Sequence, residues 1–130
     1  MNDWPDDAVV VRGGIMADPA AVRLLIEDAD EDGYGPVLSV FVADPALHGG
    51  HDAAVQHACL NGRIPHAKVR VARYADIADG DRVVVLDVSD GQADCHHHVV
   101  FPAVPTMVEI ETFLALFEEP IQNPAKESGS

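Results

Sequence analysis

Eight side chains carry the lysine and arginine charge of this sequence. Four of them, Arg63, Lys68, Arg70 and Arg73, fall within eleven residues together with His66. Against 22 acidic residues, such a cluster is a local anion site set in an opposing field. A guanidinium grips phosphate or carboxylate through two parallel N–H bonds. Arg12 closes the β-branched run Ala8–Arg12 and precedes Gly13-Gly14, where missing side chains would let a ligand approach the backbone. His96-His97-His98 adds imidazoles, which exchange protons near neutral pH. On a strand, period two sends His96 and His98 to one face and His97 to the other. Arginines holding a pentavalent phosphate, with two histidines passing protons, suffice to cleave RNA through its 2′-hydroxyl without a metal. The expected site is therefore Arg12, His66, Arg70 and His97 or His98, in a small phosphodiester-cleaving enzyme of the bacterial RNase-toxin type that needs no cofactor. The same arginines can instead pair with surface carboxylates, at about 0–1 kcal/mol per pair. On either account Arg70 is expected to be a surface guanidinium whose loss leaves the fold intact.

Metal chemistry has weaker spacing behind it. His48, His51, His57, Cys59, Cys95, His96 and His98 are all acceptable zinc ligands, but no pair shows a Cys-x2-Cys or His-Glu-x-x-His pattern. No metal site is expected from them. Asp28, Asp30, Asp32 and Gly33 match the first half of a calcium loop, and there the stretch resembles the EF-hand family. Ser39 stands where the bidentate Glu belongs, Pro36 holds the ninth position, and a strand follows instead of a helix. The resemblance implies calcium binding of millimolar strength at most. Arg12, Ser39 and Glu109-Ile-Glu111 occur in the order of the strand-end Arg, mid-strand Ser and late Glu-x-Glu of ADP-ribosyltransferases. In this the chain resembles that family, which implies an ADP-ribosyltransferase-like enzyme as a third reading. Thr106-Met-Val-Glu109 is also a capping box, which puts both glutamates in the first turn of a helix, whereas the family motif borders a strand.

A formal net charge of −14 disfavours RNA and acidic membrane surfaces and favours basic partners. It supports a rival of a different class: a non-catalytic acidic protein, of antitoxin or immunity type, that covers a basic partner surface. The criterion between the two is whether Arg12, Arg70 and the histidines converge in one cleft.

The elements that must position these residues follow from periodicity. At 130 residues and 48% hydrophobic composition, one domain with a real core is expected. Residues 8–12, 37–42, 68–72, 82–88 and 96–101 read as strands. Residues 19–29, 52–60 and 106–117 read as helices, with one further turn at 73–78. Val22, Leu25, Ile26 and Ala29 form the apolar stripe of the first helix; Phe113, Leu114 and Phe117 form that of the last. The order predicts an α+β domain over residues 1–121, a mixed five-stranded sheet carrying about three helices, with a polar, disordered tail at 122–130. Ser89-Asp90-Gly91-Gln92 reads as a hairpin turn. No stretch approaches the ~20 apolar residues of a membrane span. The acidic N-terminus lacks a secretory pattern, and two distant cysteines are no disulfide framework. A cytoplasmic protein is expected.

Overall fold

The structure, a computed structural model, describes residues 4–86 and 95–125. Six strands form one sheet: β1 (Val9–Gly13), β2 (Val37–Ala43), β3 (Lys68–Arg73), β4 (Val83–Leu86), β5 (His96–Val100) and β6 (Ile121–Gln122). Their order is β4-β5-β2-β1-β3-β6. Every pairing is antiparallel, so the expectation of a mixed sheet is corrected. The helices are α1 (Pro19–Glu31), α2 (Pro45–His48), α3 (His51–Asn61), α4 (Tyr74–Ile77) and α5 (Met107–Leu114). The hairpin turn read at 89–92 lies outside the described residues.

Local chemistry explains where the helices begin. Asp18 accepts from the Ala20 N–H and Pro19 opens α1. Asp44 and Pro45 do the same for the short α2. Thr106 and Glu109 form the reciprocal capping box of α5. Each device satisfies N–H groups that the first helical turn leaves without internal partners.

Strand alternation divides the core between two faces. On one, Val10, Val40, Val42 and Val99 pack with Val22 and Ile26 of α1, Ile77 of α4, and Ile110 and Phe113 of α5. On the other, Val9, Val11, Val69 and Val71 pack with Ala54, Val55, Ala58 and Cys59 of α3. Helices therefore cover both sides. Gly62 permits this close packing, because a Cβ there would meet the Phe41 ring at 2.5 Å. The aromatic centre of the first face is Phe113, whose ring meets Phe101 edge-on at 5.1 Å and Phe117 at 5.6 Å. The stripe of α1 is narrower than expected: Val22 and Ile26 are buried, but Leu25 is 48% exposed.

The expected boundary of the domain also moves. Gln122 pairs with Lys68 in the sheet. Asn123 is fully buried, and its side-chain amide donates to the carbonyls of Ile64 and His66 at 3.0 and 2.8 Å. A short polar stretch without periodicity gave no warning of that anchor.

Candidate functional site

Arg12 and Arg70 stand directly opposite each other on β1 and β3, on the face that Val10 and Ala72 share. Both point away from α3. Arg70 Nε donates to the Glu118 carbonyl at 2.8 Å, and Nη2 donates to Phe117 and Leu114 at 2.9 and 3.2 Å. These carbonyls end α5 and the turn after it. The guanidinium thus neutralises the negative end of the helix dipole and satisfies acceptors that the helix cannot pair. The half-buried Arg70 is thus tied to the end of α5 and does not stand free on the surface. Arg12 donates through Nη1 to the Ser39 carbonyl at 2.8 Å, and burial lowers its pKa from the ordinary value.

The histidines are divided by the pleat. His97 shares the arginine face, paired in register with Val40, and is 1% exposed. Its Nδ1 lies 2.8 Å from the Cys95 carbonyl, and its ring meets Trp4 edge-on at 5.4 Å. Because a carbonyl can only accept, Nδ1 carries the proton and Nε2 is the bare nitrogen. Burial foremost lowers the His97 pKa, helped by the neighbouring charges of His96 and His98 and opposed by the Cys95 carbonyl.

His96 and His98 lie on the opposite face. The His96 ring stacks on Phe41 with centroids 5.1 Å apart, and His98 meets His96 edge-on at 5.4 Å. His66 belongs to this second face too. Its ring fills the space over Gly13, where a Cβ would collide with Nδ1, and lies beside Gly14. The glycines therefore admit the chain's own histidine where the sequence suggested an approaching ligand. Gly14 also holds φ at +88°, a left-handed value that glycine adopts without penalty.

The sheet thus divides these groups between its two sides. Arg12, Arg70 and His97 project to one side, with His97 sealed in the core; His66 and His98 project to the other. The five do not form one cleft. The other resembling motifs are absorbed similarly. Ser39 shares the face of Phe41, opposite Arg12, and only its carbonyl meets the guanidinium. Glu109 is held in the capping box. Asp28 and Asp30 lie within α1 and Asp32 is its C-cap, so the helix turns Asp30 away from Asp28 and Asp32 instead of closing a loop of all three around a cation. Among the described residues no three His, Cys, Asp or Glu side chains gather to hold a metal. His48 and His57 stack at 4.0 Å, and Cys59 is fully buried in the second core, where burial raises its thiol to about 11.

Sequence reasoning missed the main use of the arginines. Arg23 donates to the Pro105 carbonyl at 2.7 Å. Arg82 donates to Ile77 and Asp76 at 2.8 and 3.0 Å, with its guanidinium 5.5 Å from the Phe113 ring centre. With Arg12 and Arg70, four of the six arginines of the chain serve backbone carbonyls. Among the described residues the ion pairs are Arg23–Glu27 at 3.6 Å and, if the imidazole is protonated, His51–Asp52 at 3.3 Å. No other carboxylate among the described residues pairs with a lysine or arginine. A groove of about 320 Å³ between Arg82, Phe101, Pro102, Val108 and Thr112 was also illegible, since residues far apart in sequence line it. No helix among the described residues is long and apolar enough to cross a membrane. Comparison with protein-family models, with curated proteins and with solved structures finds no match to this chain.

Proposed function

We propose that this domain is a non-catalytic acidic binding module that covers a basic surface on a partner protein, in the manner of an antitoxin or immunity protein. The observation that carries this reading is the allocation of charge. Four of the six arginines donate to carbonyls, while of the described carboxylates only Glu27 pairs with an arginine or lysine. An acidic exterior of this kind attracts basic surfaces over about a Debye length and repels polyanions. The division of Arg12, Arg70 and the histidines between two faces speaks in the same direction, because acid–base cleavage of a phosphodiester needs them around one phosphorus. The reading is of a cytosolic protein, which suits Cys59 and Cys95 as buried cysteines not joined in a disulfide.

Two measurements on the purified chain test it. Total RNA incubated with the protein and EDTA should stay intact. Immobilised protein should bind lysine-rich proteins at low salt, with affinity falling steeply as ionic strength rises. RNA cleavage that Arg12→Ala abolishes while the melting curve stays cooperative would overturn the reading in favour of an enzyme.

A further inference from the structure

Helix α1 buries one side and leaves the other bare. Val22 and Ile26 enter the core. A rotation of 100° per residue carries Leu24 and Leu25 to the outer side, where they are 52% and 48% exposed. Ala20 and Ala21 flank them on that side, also exposed. One to two turns on, the same side carries Asp28, Glu31 and Asp32, all exposed. The outward face is therefore apolar in its N-terminal half and acidic in its C-terminal half.

The acidic half is placed against the interest of the helix. The C-terminal end of a helix carries partial negative charge and favours cations. The last turn of α1 has no basic residue. Among the described residues no ion pair reaches Asp28, Asp30, Glu31 or Asp32. The fold supplies Arg70 to the end of α5, whereas among the described residues the carbonyls ending α1 take backbone N–H groups of Asp32, Gly33 and Tyr34 and no cation.

We propose that this outward face of α1 is where the partner docks, and that the partner presents a basic amphipathic helix. Its apolar side chains lie on Leu24 and Leu25, and its lysines or arginines meet Asp28, Glu31 and Asp32. The inference rests on the reading of the domain as an acidic binder, and adds the surface and the chemistry of the occupant. Charge complementarity identifies that occupant: cations placed at the end of α1 neutralise both the carboxylates and the helix dipole. A second copy of the chain is disfavoured, since each copy has a formal charge of −14 and association would bring like charges together. Leucines beside carboxylates also distinguish this face from a merely solvated acidic one, because exposed leucines gain from being covered and carboxylates alone do not.

The probe is a synthetic fourteen-residue peptide with leucines at helical i, i+3 and i+4 spacing and lysines towards one end. A scrambled peptide of the same composition is the control. Binding to the full chain is read by fluorescence anisotropy at low and at physiological salt. The amphipathic peptide is expected to bind about tenfold more tightly than the scramble, a difference of about 1.4 kcal/mol. Leu24→Ser with Leu25→Ser should erase that preference. Asp28→Asn with Glu31→Gln should weaken binding more than Asp79→Asn with Asp81→Asn, an equal change of charge at exposed positions elsewhere. Melting curves establish that each variant is folded. Equal binding of both peptides, unaffected by the leucine changes, would overturn the α1 surface and leave the acidic-binder reading standing. Failure of both peptides and of lysine-rich proteins would remove both. Sedimentation as a dimer that the leucine changes dissociate would make a second copy the occupant and overturn the proposal.

Discussion

Helices α1 and α5 pack on the same face of the sheet, yet they end in opposite ways. The last carbonyls of α5 are gathered by Arg70, reaching across from a strand 44 residues earlier. The last turn of α1 holds Asp28, Asp30 and Glu31, Asp32 caps it, and no basic residue accompanies them. Their side faces differ as well. Ile110, Phe113 and Leu114 of α5 are buried, whereas Leu24 and Leu25 of α1 are half exposed. A chain with so few cations has assigned them to backbone acceptors where the core is densest. The end of α1 is closed by backbone N–H groups alone, from Asp32, Gly33 and Tyr34, and receives no cation among the described residues. On the proposed reading, recognition falls to the outward face of α1, although the two helices look alike as amphipathic patterns.

The largest test of that division is core truncation. Phe113→Ala should cost about 3–5 kcal/mol in urea unfolding, as for a fully buried aromatic, while Leu24→Ala should cost less than about 1 kcal/mol. Equal costs would mean that α1 is as deeply embedded as α5. Next in size is Arg70→Ala, which removes several charge-assisted bonds to carbonyls and should lose about 2–3 kcal/mol. Arg73→Ala, at an exposed position, should stay within about 0.5 kcal/mol. If the two behave alike, the cap on α5 carries no weight.

A smaller effect comes from pH. The folded-state pKa of His97 lies below its ordinary value of 6.5 because the imidazole is buried. The unfolded chain therefore takes up a proton first as pH falls. The contribution of neutral His97 is complete above about pH 6.5 and is lost on going down towards the folded pKa, at up to about 1.4 kcal/mol per pH unit. His97→Leu should flatten the slope of stability between pH 6.5 and 5, whatever it does to stability at pH 8. An unchanged slope would assign the acid sensitivity to other groups. Smallest of all, Glu31→Lys should raise stability by about 0.3–1 kcal/mol at low salt by giving α1 the cation that its C-terminus lacks. A loss of stability there would contradict the contrast between the two helix ends.

The sequence by itself determined the local elements. The β-branched runs at 9–11 and 83–85 and the alternation at 69–71, together with the caps at Asp18-Pro19 and Thr106–Glu109, act over a few residues and need no knowledge of the rest of the chain. For the same reason the split of His96 and His98 from His97 was legible, since side-chain direction on a strand depends on the pleat alone. The destination of each polar side chain was decided by tertiary structure. Arg12 and Arg70 looked like ligand-binding groups because carbonyl acceptors carry no sequence signature: every residue has one. Only the folded chain shows that Leu114, Phe117 and Glu118 bring theirs to Arg70, and Ser39 its own to Arg12. The pairing of all strands antiparallel was likewise invisible, because long-range register depends on which apolar faces cover each other. His66 and Arg70 are four residues apart in sequence, and the sheet lies between them.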